Sequence, residues 1–177
     1  LGAATITGNL GVTATDININ DTVAAVNATF QPSSATSTIG IGDGATGDFN
    51  LDATDLSNLE SNDTVTIGSN SITGNVTINA VDLSNETFNL TVQGGNPAFN
   101  GDVNLPKNLN VTATTGNITQ NIGTVTVNGQ TTLATGTSND ITFENTINNF
   151  NTVAITSARN VTLNDNNGID LGASNIT

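Results

Sequence analysis

Four carboxylates that lie close together in the sequence are the first candidates for chemistry in this chain. They are Asp43, Asp48, Asp52 and Asp55. Two carboxylates that face one cleft can hydrolyse a glycosidic bond, and carboxylate oxygens are also ligands that calcium prefers. The spacing matches neither the EF-hand loop nor the glycine-rich calcium nonapeptide. We therefore interpret the cluster as a solvated loop, with calcium as the one cofactor that it could bind.

The rest of the composition argues against catalysis. The 177 residues include no Cys, His, Met, Trp or Tyr, which removes most side chains that act as general acids, bases or nucleophiles. Only Lys107 and Arg159 are available to stabilise a developing negative charge. We therefore predict that the protein is not an enzyme, and we assign no catalytic, cofactor-binding or metal-binding residue.

The charge balance excludes two classes of partner. Two basic residues stand against 15 acidic ones, which gives a net charge of −13. Binding to nucleic acid or to anionic lipid needs clustered Lys and Arg, so we expect neither. No stretch approaches the roughly 20 apolar residues of a membrane span, and no basic and apolar leader opens the chain. We expect an internal or processed segment of a longer protein.

Asparagine and threonine dominate the chain, with 30 and 32 residues. Ten Asn-x-Thr sequons start at Asn20, Asn27, Asn62, Asn75, Asn85, Asn89, Asn110, Asn117, Asn160 and Asn175. A strand that alternates polar and apolar residues produces this pattern with the middle residue pointing inward, so glycosylation is the weaker interpretation. Thr-x-Thr pairs such as 5–7, 64–66 and 124–126 indicate solvent-facing strand positions. Repeated asparagines predict side-chain ladders between stacked strands.

Short strands separated by turn formers must position these residues. Period-two alternation predicts strands at 109–113, 117–119, 124–127, 131–134, 140–143, 153–156, 160–163 and 169–171. Gly and Asn between them supply the backbone that corners need. The Asn128–Gly129 pair would also suit a hairpin, so an antiparallel sandwich is the structural alternative.

The spacing of apolar residues favours a stacked fold over a sandwich. Val111, Leu133 and Ile155 follow at intervals of 22, and Ile118, Ile141 and Val161 at intervals of 23 and 20. Three short faces and three corners account for about 22 residues in one rung. The sequence therefore predicts an all-β fold, a right-handed parallel β-helix (β-solenoid) with triangular rungs of about 22 residues.

Longer echoes suggest how the chain is organised. Residues 171–177 nearly repeat residues 1–7, and residues 72–80 echo residues 6–14 at an offset of 66, or three rungs. We therefore predict one β-solenoid segment over 1–177, as one unit of a tandem array. Its most regular rungs are expected at 105–177. Residues 30–60 are expected to be less regular, with loops and a short helix in 52–60, where Asp52 precedes Leu56 and Leu59.

Several of these stretches resemble repeats of filamentous haemagglutinin-like proteins, very large bacterial exoproteins with β-helical shafts. The stretches are GIDLGASNIT at 168–177 with its copy at the start, ITGNLGVTA at 6–14, NLNVTATTGNITQ at 108–120, NNFNTVAITSARNVTLND at 148–165, and the region 39–67. The resemblance implies secretion to the bacterial surface. It also implies roles in adhesion, aggregation or biofilm matrix.

The resulting expectation is a structural and adhesive shaft segment of a large secreted bacterial surface protein or extracellular filament. Its expected partners are adjacent repeats joined end to end, together with a host cell, a neighbouring cell or a polysaccharide. One alternative is a self-assembling matrix fibre protomer that binds no receptor. Another is a carbohydrate-binding or carbohydrate-processing β-helix module.

Overall fold

The computed structural model describes residues 1–176, apart from the side chain of Asn62. The elements in chain order are β1 (Ala4–Thr5), β2 (Leu10–Ala14), β3 (Val23–Pro32), β4 (Ile39–Ile41), β5 (Phe49–Leu51), α1 (Ala53–Ser57), β6 (Leu59–Gly68), β7 (Val76–Ile78), β8 (Val81–Asp82), β9 (Asn89–Gly94), β10 (Pro97–Asn100), β11 (Val103–Leu105), β12 (Leu109–Ala113), β13 (Ile118–Ile122), β14 (Val125–Ala134), β15 (Asp140–Phe143), β16 (Asn149–Ser157), β17 (Asn160–Leu163) and β18 (Asp170–Leu171).

The strands stack in parallel in about eight turns, about 22 residues apart. Each turn contributes one strand to a face that we call the long face, in the order β2, β3, β6, β9, β12, β14, β16 and β18. We number the turns one to eight in that order. A sandwich of hairpins would need antiparallel pairs, whereas the strand pairs of the described residues are parallel, so the β-solenoid is confirmed and the sandwich is wrong.

Two further faces complete the triangle. The third face is a separate seven-stranded sheet in the order β17, β15, β13, β10, β7, β4 and β5. The short face holds β1, β8 and β11 together with the first halves of β3, β6, β14 and β16. Those four long strands bend from the short face to the long face at register irregularities, such as the one between Val127 and Gln130. The expected separate strands at 124–127 and 131–134 are therefore one strand, and Asn128–Gly129 lies within it.

The register of the later turns follows the apolar spacing of the sequence. Val111 lies beside Leu133, which lies beside Ile155. On the third face, the side-by-side order is Ile118, Ile141 and Val161. Both predicted columns are therefore confirmed. A right-handed coil is the hand that parallel crossover connections strongly favour.

The core runs along the axis of the coil and is filled by inward residues of all three faces. Its largest fully buried side chains are Phe30, Phe49, Phe88, Phe99, Phe143 and Phe150. The ring of Phe143 lies 5.2 Å from that of Phe99 and 5.6 Å from that of Phe150, measured between centroids. Since these rings come from turns four, six and seven, aromatic packing links turns along the axis of the coil.

The second turn is wider than the others. Val23 pairs with Leu59, 36 residues further on, because the chain inserts β5 and α1 after β4. β5 pairs with β4 in parallel across a loop at 42–48 and occupies the third face beside the first turn. The loop at 42–48 and the helix α1 lie within residues 30–60, where we expect loops and a short helix, and Leu59 begins β6 and lies outside the helix.

The long sequence echoes do not mark equivalent positions. Val12 lies on the long face, whereas Ile78, its counterpart at an offset of 66, lies on the third face. The expectation of three rungs between them is therefore wrong, because the widened turn shifts the phase. The copy near residue 1 pairs on the short face and the copy near Leu171 pairs on the long face. Thr177 lies outside the described residues, and the tandem array stays a prediction.

Candidate functional site

The four clustered carboxylates are used separately. Asp48 accepts hydrogen bonds from the backbone N–H and the hydroxyl of Thr38, at 2.9 and 3.0 Å, and these bonds lower the pKa of its carboxyl. Asp43 lies on the loop at 42–48, where its backbone N–H donates to the carbonyl of Ala80 at 2.9 Å. The solvated-loop interpretation holds for Asp43 and Asp48, which are exposed.

Asp52 and Asp55 form a capping box at the start of α1. The Asp52 carboxylate accepts from the backbone N–H of Asp55 at 2.8 Å, and Asp55 accepts from the N–H of Asp52 at 3.0 Å. The other oxygen of Asp55 accepts from the backbone N–H of Ile19 at 2.6 Å. Asp55 is buried, with 6% of its surface exposed. These bonds join the helix to the first turn, so this pair has a structural role.

The described residues contain no group of three or more carboxylates or other metal-ligating side chains that could hold a metal ion. The four carboxylates meet their partners at different places, and no shared cavity joins them. The calcium expectation gains no support from this geometry. No described residue is therefore assigned as a metal ligand.

A second pair of carboxylates lines an open cleft between turns three and four. The cleft has a volume of about 400 Å³ and is lined by Ser57, Glu60, Ser61, Asn85, Glu86 and Thr87. Partial burial raises the pKa of the Glu86 carboxyl, and the charge of Glu60 raises it further. Two like charges in one cleft resemble the first requirement of glycoside hydrolysis. The lining includes no cation that could stabilise a developing negative charge, so the cleft gives weak support for catalysis.

Arg159 is engaged in an ion pair on the third face. Its Nε and Nη2 atoms donate to the two carboxylate oxygens of Asp140, at 2.9 and 2.7 Å. The amide of Asn160 donates to the same carboxylate at 2.9 Å. These bonds lower the pKa of Asp140 to about 2. The pair spans one rung and fixes the register of β15 and β17.

Asparagine side chains bond to one another between rungs, as the predicted ladders require. The donor and acceptor pairs are Asn27 and Asn9 (3.0 Å), Asn96 and Asn75 (2.8 Å), Asn121 and Asn100 (2.7 Å), and Asn167 and Asn149 (3.1 Å). Other amides bond to the backbone of a neighbouring rung, such as Asn108, whose side chain accepts from the N–H of Gln130 at 2.8 Å. The ladders are therefore short pairs that alternate with amide-to-backbone bonds.

The sequence reading missed a five-residue repeat on the third face. The segments 75–79, 96–100, 117–121, 140–144 and 160–164 read NVTIN, NPAFN, NITQN, DITFE and NVTLN. They occupy five successive rungs of that sheet. Four of the five carry threonine at the centre and all carry an amide or carboxylate at both ends. A search for short motifs at steps near 22 would have found this signal.

In five of the Asn-x-Thr sequons the middle residue points into the core, as an alternating strand predicts. The residue after Asn27, Asn75, Asn89, Asn110 and Asn117 is buried. Asn20 and Asn85 differ, because the residue after each is acidic and each asparagine lies outside the strands. The Asn62 side chain lies outside the described residues.

The long face presents an outer surface of amides and hydroxyls. Its outward positions over turns two to seven are Asn27, Thr29, Gln31, Thr64, Thr66, Gly68, Asn89, Thr91, Gln93, Asn108, Asn110, Thr112, Gln130, Thr132, Ala134, Thr152 and Ser157, together with Ala154, which is only 7% exposed. None of these side chains is charged. In the central column Thr29, Thr66 and Thr91 lie side by side in three successive turns.

The carboxy-terminal end of the coil exposes apolar side chains. A cavity of about 320 Å³ is lined by Ile155, Val161, Leu163, Ile169, Leu171, Ser174 and Ile176. Leu171 and Ile176 are 59% and 51% exposed. At the other end, Leu10, Val12 and Ala14 pack against the core and are only partly buried. The apolar column of the core therefore continues into both end turns.

Among the described residues, no helix is both long and apolar enough to cross a membrane. Comparison with curated proteins and with solved structures finds no match to this chain. A family model does match residues 87–157, which include β9 to β16, and that family is described as repeats of unknown function (DUF5649). The matched repeats and the eight stacked turns together identify the chain as a repeat protein with a β-solenoid fold.

Proposed function

We propose that this chain is a structural and adhesive shaft segment of a large secreted bacterial surface protein or extracellular filament. The observation that carries the proposal is the stack of eight parallel turns with an apolar column that continues into both end turns. Further turns can stack on the ends of such a rod, and a long rod can hold a binding surface away from the cell that secretes it. We propose a mechanical role and no catalysis.

The end turns support joining to adjacent repeats. At the carboxy-terminal end, the exposed Leu171 and Ile176 and the cavity beside them match the inward columns of the turns below. A further turn laid on this surface would bury the apolar side chains and pair the free strand edges. The first turn offers Leu10 and Val12 at the opposite end. We therefore propose an adjacent repeat of the same protein as the partner at each end.

The outer surfaces support adhesion through many weak contacts. Amides and hydroxyls repeat along the long face over turns two to seven and along five rungs of the third face, at intervals of about 4.8 Å. Each contact with a polysaccharide or a cell surface would be weak, and repetition along a long shaft would raise the avidity. The resemblance to filamentous haemagglutinin-like repeats supports the extracellular, bacterial-surface location.

A self-assembling matrix fibre is the second candidate. The exposed apolar cavity at the carboxy-terminal end favours it, because separate copies can cover the same surface without a covalent link. In that case, purified single segments would join through their ends, and the filament would need no receptor.

Electron microscopy of a single segment and of two segments joined in tandem tests the proposal. Eight turns at about 4.8 Å give a rod about 38 Å long, so the tandem protein should form one straight rod about 77 Å long. Two beads separated by a bend would contradict a continuous shaft. Long filaments from the single segment would favour the self-assembling fibre.

A matched pair of variants locates the junction. Leu171→Glu places a charge on the exposed end, whereas Ile122→Glu places one on a side chain that is 65% exposed on the side of the rod. Leu171→Glu in the first of two tandem copies should bend or separate the rod. Ile122→Glu in that copy should leave it straight, and equal effects of the two variants would contradict end-to-end stacking.

A further inference from the structure

The distribution of charge over the faces of the coil is uneven. The chain holds 15 carboxylates and a net charge of −13, yet none of the carboxylates occupies an outward position of the long face between turns two and seven. Asp63 marks the border of that face, where its carboxylate accepts a bond from Asn89 at 3.3 Å. The third face, in contrast, carries Asp140, Glu144 and Arg159.

The outward residues of the long face bond to one another along the axis of the coil. Gln31 donates to Thr13 at 3.0 Å and Asn110 donates to Thr91 at 3.3 Å. The backbone N–H of Gln130 donates to the amide oxygen of Asn108 at 2.8 Å. These bonds hold amide side chains in defined orientations, and each amide keeps further donors and acceptors that face outward.

A parallel sheet with an ordered surface of amides and hydroxyls can pack against the same surface of a second copy. Parallel strands in register repeat at about 4.8 Å, so two such faces have matching periods. Asn and Gln ladders and interdigitating side chains stabilise the dry interfaces between paired sheets in cross-β assemblies. Each amide and hydroxyl is both donor and acceptor, which makes the surface complementary to itself.

Electrostatics limits where two copies can approach. Two chains of charge −13 repel each other, and the repulsion is strongest where carboxylates face carboxylates. The long face is the side on which two copies can approach with no charged side chain between them over six turns. The carboxylates of the chain lie at the borders of this face or on the other faces, where solvent and salt screen them.

The area is consistent with a weak contact that grows with length. Six turns at about 4.8 Å and five residues at about 3.3 Å cover about 500 Å² on each copy, or about 1,000 Å² in total. Stable complexes usually bury about 1,200 to 2,000 Å², so one segment alone should associate weakly. A shaft with more turns would present a proportionally larger face.

We propose that the long face is a lateral association surface on which a second copy of this chain packs face to face. Two shafts then lie side by side, with the amide and hydroxyl columns interdigitated and the charged faces turned outward. This pairing uses the side of the coil, so it does not depend on how the ends join.

Sedimentation velocity of the purified chain tests the proposal, at concentrations up to about 1 mM. A concentration-dependent dimer is expected. Raising the ionic strength from about 0.01 M to about 0.15 M shortens the screening length from about 30 Å to about 8 Å, so salt should strengthen the dimer. A chain that stays monomeric at every concentration and ionic strength would overturn the proposal.

Two double variants of equal charge assign the surface. Thr91→Glu with Thr132→Glu adds two charges to the long face, two turns apart, and Thr77→Glu with Thr119→Glu adds two charges to the third face at the same separation. The first pair should weaken association at least about tenfold, and the second should change it by about twofold or less. Equal losses, or a larger loss in the third-face variant, would overturn the assignment.

A spin-label measurement keeps the test independent of folding defects in those variants. The chain has no cysteine, so Thr91→Cys and Thr119→Cys each provide one labelling site. At high concentration, dipolar broadening between molecules is expected for the label at Thr91 and not for the label at Thr119. Broadening at Thr119 alone, or at neither position, would overturn the proposal. Either result would leave the rod length of the tandem protein unaffected, so failure here is distinct from failure of the shaft.

Discussion

Between residues 103 and 163, each turn takes 20 to 23 residues, whereas the turn that begins at Val23 takes 36. In the later turns, columns of like residues on neighbouring rungs define the position of every strand. In the widened turn, β5 continues two apolar columns of the third face, with Phe49 beside Ile39 and Leu51 beside Ile41. The helix α1 belongs to no column, and individual polar bonds hold it instead. The same core can therefore be closed by repetition or by specific local contacts.

The close approaches of the widened turn depend on glycine. A Cβ atom on Gly47 would lie 2.7 Å from the backbone nitrogen of Gly40, because the loop at 42–48 crosses directly over β4. Gly42 has a φ of +85°, a conformation that residues with a Cβ rarely adopt. Corners of the regular turns need glycine in the same way, since a Cβ atom on Gly123 (φ +83°) would lie 2.2 Å from the backbone carbonyl carbon of Gly101. Close packing against the neighbouring rung therefore restricts the sequence in both regions.

The largest expected effect is the loss of stability when a core ring is removed from the regular turns. Phe143→Ala removes a fully buried ring of turn six that packs against Phe99 of turn four and Phe150 of turn seven. We expect a loss of about 3 to 5 kcal/mol in the free energy of unfolding, from lost burial and the cavity left behind. Urea denaturation followed by circular dichroism measures it. Thr142→Ala on the outer side of the same strand is the control, and a loss below about 1 kcal/mol for Phe143→Ala would contradict the packing described.

The next effect separates the widened turn from the rest. Asp55→Asn leaves one acceptor oxygen where two are used, by the N–H groups of Ile19 and Asp52. We expect the free energy of unfolding to fall by about 1 to 3 kcal/mol, because one of these two backbone N–H groups loses its acceptor. Asp52→Asn is the matched control, since Asn caps a helix as well as Asp does.

Amide hydrogen exchange shows where the Asp55→Asn effect falls. Exchange should accelerate at Ile19 and Asp52 and stay unchanged at Val127 in the sixth turn, because strand pairing joins each turn only to the turns beside it. Equal acceleration at all three amides would show that the widened turn and the regular turns unfold as one unit.

A third substitution is expected to increase the stability of the regular turns. Thr131 is fully buried between Leu109 and Val153, and its hydroxyl has no hydrogen-bond partner among the residues that the structure describes. Thr131→Val should stabilise the protein by about 1 to 2 kcal/mol, because it removes an unsatisfied buried hydroxyl while keeping the shape. Thr132→Val on the outer side of the strand should change stability by less than about 0.5 kcal/mol. A destabilised Thr131→Val protein would indicate that the hydroxyl has a partner after all.

The smallest effect concerns the ion pair between rungs six and seven. The pKa of Asp140 is lowered from 3.8 to about 2 by the Arg159 guanidinium. A lowered pKa stabilises the folded state above the unfolded pKa, and this contribution is lost as the pH falls from about 4 to about 2. The melting temperature should therefore drop over this window more in the natural chain than in Asp140→Asn. The effect is small because the ion pair is exposed to solvent. Parallel curves of melting temperature against pH for the two proteins would contradict a stabilising ion pair.

Sequence spacing was sufficient where repetition fixes the structure. The steps of 22 from Val111 to Leu133 and Ile155 gave the register of the long face, and Asp52 with Leu56 gave the helix. The offset of 66 from Val12 to Ile78 failed, because any alternating strand resembles any other and the widened turn changes the phase. Local pattern therefore identifies strands, and only a sustained period identifies their neighbours.

The surfaces were harder to predict than the core. Three of the ten sequon asparagines, Asn75, Asn117 and Asn160, begin segments of the third-face repeat, and recognising that repeat depends on which rungs lie side by side. Alternate residues of a strand point to opposite sides of the sheet, so predicting an uncharged long face requires knowing which residues of each strand point outward. The buried Thr131 occupies an inward position that composition alone would assign to an apolar residue.

A distance between two spin labels tests the stacked, in-register coil most directly. Thr29→Cys and Thr132→Cys label the central column of the long face in turns two and six, 103 residues apart in sequence. Four steps of about 4.8 Å place the two backbones about 19 Å apart. A narrow distribution centred near that distance is the expected result. A broad distribution, or one centred beyond about twice that distance, would contradict the stack of eight parallel turns.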